Sequence, residues 1–229
     1  DGKGVMDIDP LLGTPYAAVR FVARGASGEV WQARHRTLGK KVAVKLLHGW
    51  HLEDLRQTDR LRLEAQALGR LRSPYLVAVH DLGATTEGRP YFVMDYLEGH
   101  TLDREIAARG NLPPGEACRI VRQLLEALCA VHEAGLVHRD VKPGNLFYCA
   151  GTPRQLKLLD LGIAKLRCDS TGARRLGIAS LAVPPEVGFP IGTPRYLAPE
   201  QIDGRVVDAR CDLYAAGLVL YKLLAGRGP

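Results

Sequence analysis

The chain has 229 residues, of which 46% are hydrophobic and 24% charged, as in soluble globular proteins with one large domain or two lobes. The net charge of +6 is not concentrated in one basic run, so it suits an anionic ligand such as a nucleotide and argues against nucleic-acid binding. The five cysteines are scattered and never spaced C-x-x-C, and no apolar run approaches the roughly 18 residues that span a bilayer. Composition therefore argues against a disulfide framework, a zinc site and a membrane segment within the chain, and it favours the cytoplasm.

Short strands are predicted after an N-terminal stretch without periodic pattern. Residues 1–15 are polar and contain glycine and proline, which predicts a tail. Strands are then predicted over residues 19–24, 28–35 and 41–47, separated by glycine-rich or polar turns.

The turn between the first two predicted strands reads V-A-R-G-A-S-G-E-V, from Val22 to Val30. Gly25 and Gly28 let backbone N–H groups approach a phosphate without a Cβ atom in the way. Compared with the phosphate-binding pattern G-x-G-x-x-G-x-V, Ala23 replaces the first glycine. Taken alone, this hairpin predicts only a turn.

The third predicted strand ends in V-A-V-K, from Val42 to Lys45. Strand alternation places Ala43 and Lys45 on one face, where Ala43 is small enough for an adenine ring to lie against it. A helix is predicted over residues 51–71, and Glu64 falls on its apolar stripe. Because an unpaired buried carboxylate is very costly, Glu64 needs a partner, and Lys45 is the candidate. The alternative is that both side chains reach water.

A second hairpin is predicted over residues 76–84 and 89–96, and its second strand runs into V-M-D-Y-L-E-G. A long helix is predicted from residue 113 to Gly135. Its apolar stripe consists of Ala117, Ile120, Val121, Leu124, Leu125, Leu128 and Val131. This helix leads to the segment V-H-R-D-V-K-P-G-N-L-F, from Val137 to Phe147.

That segment brings an acid, a cation and an amide into one short stretch: Asp140, Lys142 and Asn145. The intervening Pro-Gly turn allows Asp140 and Asn145 to face one cleft. Further along, an apolar strand is followed by D-L-G, which begins at Asp160. A lone D-x-G is a turn far more often than a metal site, but here it follows the Asp and Asn motif by fifteen residues.

Together these motifs closely resemble the protein kinases, and the bacterial serine/threonine kinases best of all. The resemblance rests on H-R-D-V-K-P-G-N at residues 138–145, on V-A-V-K, on D-L-G, and on G-T-P-R-Y-L-A-P-E at residues 192–200. It implies a bilobal α+β fold of the protein-kinase type. An N-lobe with an antiparallel sheet and one main helix would span residues 16–95, and a mostly helical, incomplete C-lobe would span residues 96–229. The hinge would lie near residues 95–99.

The resemblance also implies roles for individual residues. Asp140 would accept the proton of the acceptor hydroxyl, Lys142 would contact the γ-phosphate, and Asn145 and Asp160 would hold Mg²⁺, with Mn²⁺ as an alternative. ATP would lie between the lobes, with Lys45, tethered by Glu64, on its α- and β-phosphates. The other nucleotide-binding residues would be Val22, Gly25, Gly28, Val30, Ala43, Phe147, Met94 as gatekeeper, and the backbones of Asp95 and Leu97.

Supporting roles follow from the same resemblance. His138 would brace the catalytic loop, Asp212 would anchor it, and Arg139 would hold a phosphorylated activation segment. Thr193 would bond Asp140 and Lys142, and Glu186 would mimic a phosphate in a constitutively active enzyme.

The expected function is transfer of the γ-phosphate of ATP to Ser/Thr hydroxyls of proteins in signal transduction, with autophosphorylation. A pseudokinase is the first alternative, which Ala23 and the Leu of D-L-G favour and the intact set of catalytic residues argues against. A small-molecule kinase is the second, although Lys142 and the G-T…A-P-E segment favour a protein substrate. A kinase domain would continue past Pro229 and supply an Arg that pairs with Glu200. We therefore expect the natural protein to continue and the 229-residue piece to be unstable or poorly active.

Overall fold

The computed structural model describes residues 9–25, 28–48, 69–151, 154–160 and 194–228. Glu64, Glu186, Thr193 and nearly all of the helix predicted over residues 51–71 lie outside these ranges. The chain divides into two compact units. The first runs to Gly69 and includes Ala78–Leu97, and the second comprises Arg70–Val77 and the chain from Glu98 onward.

The first unit contains a five-stranded antiparallel sheet with the spatial order β1-β2-β3-β5-β4. Its strands are β1 (Tyr16–Gly25), β2 (Gly28–His35), β3 (Lys41–Leu47), β4 (Val79–Ala84) and β5 (Pro90–Asp95). The predicted bounds of β2 and β3 are confirmed, whereas β4 starts three residues later than predicted. Leu76 instead forms a parallel bridge with Leu158 inside the second unit.

Alternating side chains of β3 enter the core of the first unit, as the strand pattern predicts. Val42, Val44 and Leu46 pack there with Tyr91 and Val93 of β5. Ala43 and Lys45 lie between them in the sequence and are also largely buried, each with 8% of its surface exposed.

Residues 9–15 pack against this core instead of extending as the predicted tail. Leu11 is fully buried among the core side chains. The Asp9 carboxylate accepts hydrogen bonds from the amides of Leu11 (2.9 Å) and Ala18 (3.3 Å), and it pairs with Arg36 at 2.9 Å. The polar composition of this stretch led to the prediction of a tail, because it gives no sign that Leu11 anchors the stretch in the core.

In its described residues, the second unit combines four helices with a small antiparallel sheet. The helices are α1 (Leu102–Arg109), α2 (Pro114–Glu133), α3 (Pro199–Ile202) and α4 (Arg210–Ala225). The sheet has the order β6-β7-β8, with strands Gly99–Thr101, Leu146–Cys149 and Leu156–Leu158. Short 3₁₀ turns occur at Pro143–Asn145 and Pro194–Tyr196. None of the helices in the described ranges is long and apolar enough to cross a membrane.

Helix α2 is the long helix predicted from the apolar stripe, but its buried face is rotated slightly from the prediction. Leu125 is 38% exposed, so its assignment to the core was wrong. Gln123 and Ala127 are buried instead. The Gln123 side-chain oxygen accepts the backbone N–H of Leu156 at 2.8 Å, which joins α2 to β8. Hydrophobic periodicity alone does not reveal such a polar anchor.

A buried glutamate links the elements around the small sheet. Glu105 of α1 is 5% exposed and accepts hydrogen bonds from Arg109 (2.8 Å) and Arg154 (3.0 Å), and its other oxygen lies 2.5 Å from His100 Nε2. Burial acts to raise the pKa of Glu105, but these basic partners outweigh it and hold the pKa below its ordinary value. The carboxylate thereby connects α1, β6 and the β7–β8 connection.

The neighbouring leucines of the N-terminal segment provide a test of its packing. We expect Leu11→Ala to lower the free energy of unfolding by about 2–5 kcal/mol, because it leaves a cavity in the core of the first unit. Leu12 is 60% exposed, so Leu12→Ala should change it by less than about 0.5 kcal/mol. Urea denaturation followed by Trp fluorescence measures both; equal effects would contradict the observed packing.

Candidate active site

The loop between α2 and β7 brings Asp140, Lys142 and Asn145 together. Lys142 Nζ lies 2.9 Å from Asp140 Oδ2, and Asn145 Nδ2 donates to the same oxygen at 2.8 Å. Asn145 Nδ2 also donates to the backbone carbonyl of Asp140 at 2.8 Å. The tight turn Pro143–Asn145 makes this possible, because it folds the chain back within five residues. A cation and an amide thus fix one carboxylate oxygen.

The backbone places Asp160 next to this group. Leu159 N–H donates to the Asn145 carbonyl at 2.8 Å, so Asp160 follows directly on a residue bonded to Asn145. Asp160 has a φ of 51°, in the left-handed region that a non-glycine residue adopts only at a cost.

Asn145 and Asp160 carry oxygen donors of the kind that a hard cation prefers. Both N–H groups of the Asn145 amide serve Asp140, so its capacity to bind a cation lies in Oδ1. Within the described ranges, no group of three or more His, Cys, Asp or Glu side chains could hold a metal. A cation held by Asn145 and Asp160 would need waters or phosphate oxygens as its remaining ligands, as Mg²⁺ takes in proteins.

Asp212 anchors the loop through its side-chain carboxylate. It is 1% exposed at the start of α4. Its Oδ2 accepts the His138 amide and lies 2.8 Å from His132 Nε2, and its Oδ1 accepts the Arg139 amide, also at 2.8 Å. Burial acts to raise the pKa of Asp212, but the bonds from His132 and the two amides outweigh it, so the pKa lies below its ordinary value.

These bonds also hold a strained backbone. Arg139 has a φ of 63°, which costs on the order of 1–3 kcal/mol for a non-glycine residue. A hydrogen bond to a charged group contributes about 1.5–3 kcal/mol, so the bond from its amide to Asp212 offsets this strain. Sequence reasoning identified Asp212 by resemblance but missed His132, because a histidine near the end of an apolar helix carries no recognisable signal.

His138 connects the loop to the end of β8. It is fully buried; its Nε2–H donates to the Leu159 carbonyl at 2.9 Å, and its Nδ1 accepts the Asp140 amide at 3.2 Å. Burial lowers the pKa of His138, which keeps the ring neutral with the proton on Nε2. The geometry agrees with the predicted bracing role.

A third stretch is attached to the same loop. Gln201 Nε2 donates to the Arg139 carbonyl at 3.2 Å, and its Oε1 accepts the Ala198 amide at 3.0 Å. A small pocket lies here, and its lining includes Asp140, Lys142 and Tyr196. Sequence reasoning missed Gln201, although it directly follows the A-P-E motif.

The predicted site residues are divided between the two units. The first unit contains Val22, Gly25, Gly28, Val30, Ala43, Lys45, Met94, Asp95 and Leu97. The second unit contains Asp140, Lys142, Asn145, Phe147 and Asp160.

In the first unit, Lys45 is flanked by Val30 and Phe92, and Ala43 pairs with Met94. At Gly28, a Cβ atom would lie 2.1 Å from the Leu46 carbonyl oxygen, which accounts for the glycine.

Removing the charge of Asp212 should weaken the whole loop. We expect Asp212→Asn to lower the free energy of unfolding by about 3 kcal/mol or more, because the amide cannot accept all three hydrogen bonds. Thermal melts measure the effect. Asp208→Asn is the matched control, since it removes an exposed carboxylate four residues earlier, and its melting temperature should equal that of the parent. Equal melting of both variants would show that Asp212 does not anchor the loop.

The buried neutral His138 should make stability depend on pH. Its pKa is lower in the folded chain than in the unfolded chain, so the unfolded state takes up a proton first as the pH falls. We expect the contribution of neutral His138 to the free energy of unfolding to be fully present above about pH 6.5. Below that pH it should decline by up to about 1.4 kcal/mol per pH unit. His138→Gln, which cannot titrate, should show a correspondingly smaller slope between pH 7 and 5 in urea titrations. An unchanged slope would refute the assignment.

Comparison with known proteins supplies the family. The protein kinase domain model matches residues 16–229. The chain is 37% identical over 226 residues to serine/threonine-protein kinase Pkn1 of Myxococcus xanthus, covering 96% of this chain and 31% of that protein. It is 38% identical over 227 residues to serine/threonine-protein kinase PknB of Mycobacterium leprae, covering 98% and 34%. The chain thus spans about a third of the length of these relatives.

Solved structures agree with these relatives. The PknI kinase domain of Mycobacterium tuberculosis matches with a TM-score of 0.71 and 30% identity, covering 94% of this chain and 76% of that chain. The crystal structure of Rad53 1-466 in complex with AMP-PNP matches with a TM-score of 0.72 and 27% identity, covering 94% and 50%. The predicted fold class is confirmed, and the chain belongs to the protein kinase family.

Proposed function

We propose that this chain is the catalytic domain of a serine/threonine protein kinase, which transfers the γ-phosphate of ATP to Ser/Thr hydroxyls of proteins. The observation that carries the proposal is the Asp140 carboxylate, whose Oδ2 is fixed by both Lys142 and Asn145 on a loop anchored by Asp212. The names of the relatives, which are serine/threonine-protein kinases, support the choice of acceptor.

The reaction assigns a separate task to each residue of the loop. The acceptor oxygen forms a bond to the γ-phosphorus, the bond from that phosphorus to the β-phosphate oxygen breaks, and ADP leaves. Asp140 orients the hydroxyl and takes its proton. An ionised carboxylate has about four acceptor sites, so the two donors on Oδ2 do not exhaust it. Lys142 contacts the transferred phosphoryl group.

We propose that Asn145 and Asp160 hold Mg²⁺, with Mn²⁺ as a substitute. The bound cation neutralises charge on the phosphates. Lys45 binds the α- and β-phosphates, with Glu64 as its partner. The remaining nucleotide-binding residues are Val22, Gly25, Gly28, Val30, Ala43, Met94, Asp95, Leu97 and Phe147. Rad53, which has the same fold, was solved with the ATP analogue AMP-PNP, and this supports ATP as the nucleotide.

The remaining assignments are proposals of the same kind. The N-lobe spans residues 16–95 and the C-lobe residues 96–229. The domain works in the cytoplasm in signal transduction and acts on proteins instead of nucleic acid.

Substitution of the proposed base tests the function. We expect Asp140→Asn to reduce phosphate transfer from labelled ATP–Mg to a basic protein by roughly 10²–10⁴-fold, because general-base catalysis contributes about that much. Transfer to the kinase itself should fall in parallel. Asp203→Asn, which alters an exposed carboxylate paired with Arg205, is the control and should retain full activity.

Two further measurements separate the alternatives. An ATP–Mg thermal shift reports nucleotide binding independently of transfer, so a shift without transfer by the parent protein would identify a pseudokinase. Transfer to an aminoglycoside but not to a protein would identify a small-molecule kinase. Full transfer by Asp140→Asn would remove Asp140 from its proposed role.

A further inference from the structure

An ion pair joins two helix ends that are 119 residues apart in sequence. Lys222 Nζ, in the last turn of α4, lies 2.7 Å from Asp103 Oδ1, in the first turn of α1. Each charge opposes the partial charge of its own helix end, which favours both positions. The pair therefore connects the N-terminal end of α1 to the C-terminal end of α4.

The Asp103 end contacts the catalytic loop. Helix α1 packs on the turn Pro143–Asn145. A Cβ atom at Gly144 would lie 3.1 Å from Asp103 Oδ2, so the carboxylate lies directly against this glycine. Gly144 stands between Lys142 and Asn145, the two residues that fix Asp140.

The Lys222 end contacts the segment beside the acceptor site. Helix α4 packs on the turn Pro194–Tyr196. Tyr196 is 7% exposed; burial raises the pKa of its phenol, and the nearby Lys222 ammonium acts in the opposite direction. Tyr196 lines the same pocket as Asp140 and Lys142.

We propose that the Asp103–Lys222 ion pair positions the segment at residues 194–198 against the catalytic loop, and so sets how well the domain binds its protein acceptor. This inference rests on the proposed function. Neither side chain touches the reacting atoms, so both are positioning residues. The reasoning is geometric: one helix holds the turn that carries Asn145, the other holds the turn that carries Tyr196, and the ion pair connects the two helices.

The exposure of the pair makes the inference testable. The side chains of Lys222 and Asp103 are 21% and 47% exposed, and ion pairs this close to solvent contribute little to overall stability. Breaking the pair should therefore leave the fold intact while the position of residues 194–198 changes.

A double-mutant cycle with Asp103→Asn and Lys222→Gln tests this in the full-length protein. We expect each single variant to raise KM for a protein acceptor roughly 3- to 30-fold, which lies within the range of coupling between residues in contact, with KM for ATP unchanged. The double variant should be no worse than either single variant. Glu126→Gln, which breaks an exposed ion pair within α2, is the matched control and should leave both KM values unchanged.

Hydrogen exchange gives a second measurement that does not require activity. The amides of Ala198, Gln201 and Ile202 are hydrogen-bonded, so a peptide covering residues 194–202 should be protected. Faster exchange there in Asp103→Asn and Lys222→Gln, but not in Glu126→Gln, would support the inference. If the parent protein transfers no phosphate, the proposed function fails and exchange alone decides whether the pair positions the segment. Unchanged exchange, additive effects in the cycle, or equal increases in both KM values would overturn it.

Discussion

A buried carboxylate with hydrogen bonds from three nitrogen donors is the constraint on which the catalytic loop depends. Burying an ionised carboxylate costs several kcal/mol unless donors surround it. The nitrogen donors to Asp212 are the amides of His138 and Arg139 and the ring of His132, and the Cys211 thiol donates a weaker bond at 3.7 Å. The loop must therefore adopt the conformation that presents both amides, including the strained backbone at Arg139. The hydrogen bonds that stabilise the buried charge therefore also fix the conformation of the loop.

A series of hydrogen bonds connects the Asp212 anchor to Asp140. His138 joins the loop to Leu159, and Leu159 joins the end of β8 to Asn145. Asn145 then fixes Asp140, and Gln201 attaches the chain after residue 194 to Arg139. Phosphoryl transfer requires positioning and charge neutralisation more than covalent chemistry by the protein, and this network provides positioning. In the proposed reaction, the anchoring residues would therefore matter together with those that contact the phosphate.

Sequence reasoning succeeded where the determining information was local. Asp140, Lys142 and Asn145 lie within six residues, and the tight turn between them predicts that they meet. The strands β2 and β3 were placed correctly because alternation and turn residues act over a few positions. The fold as a whole came from the family resemblance, since periodicity alone does not specify how elements pack.

The failures involve contacts between distant parts of the chain. Leu125 was assigned to the core because periodicity cannot detect that Gln123 is buried by a hydrogen bond to β8. Leu11 was hidden in a polar stretch, and the Asp103–Lys222 pair spans 119 residues without any motif.

The most direct test of the Asp212 anchor is hydrogen exchange at the amides of His138 and Arg139. We predict exchange as slow as in the buried part of α2, and loss of that protection in Asp212→Ala while α2 stays protected. Rapid exchange in the parent protein, or protection that survives the substitution, would contradict the account.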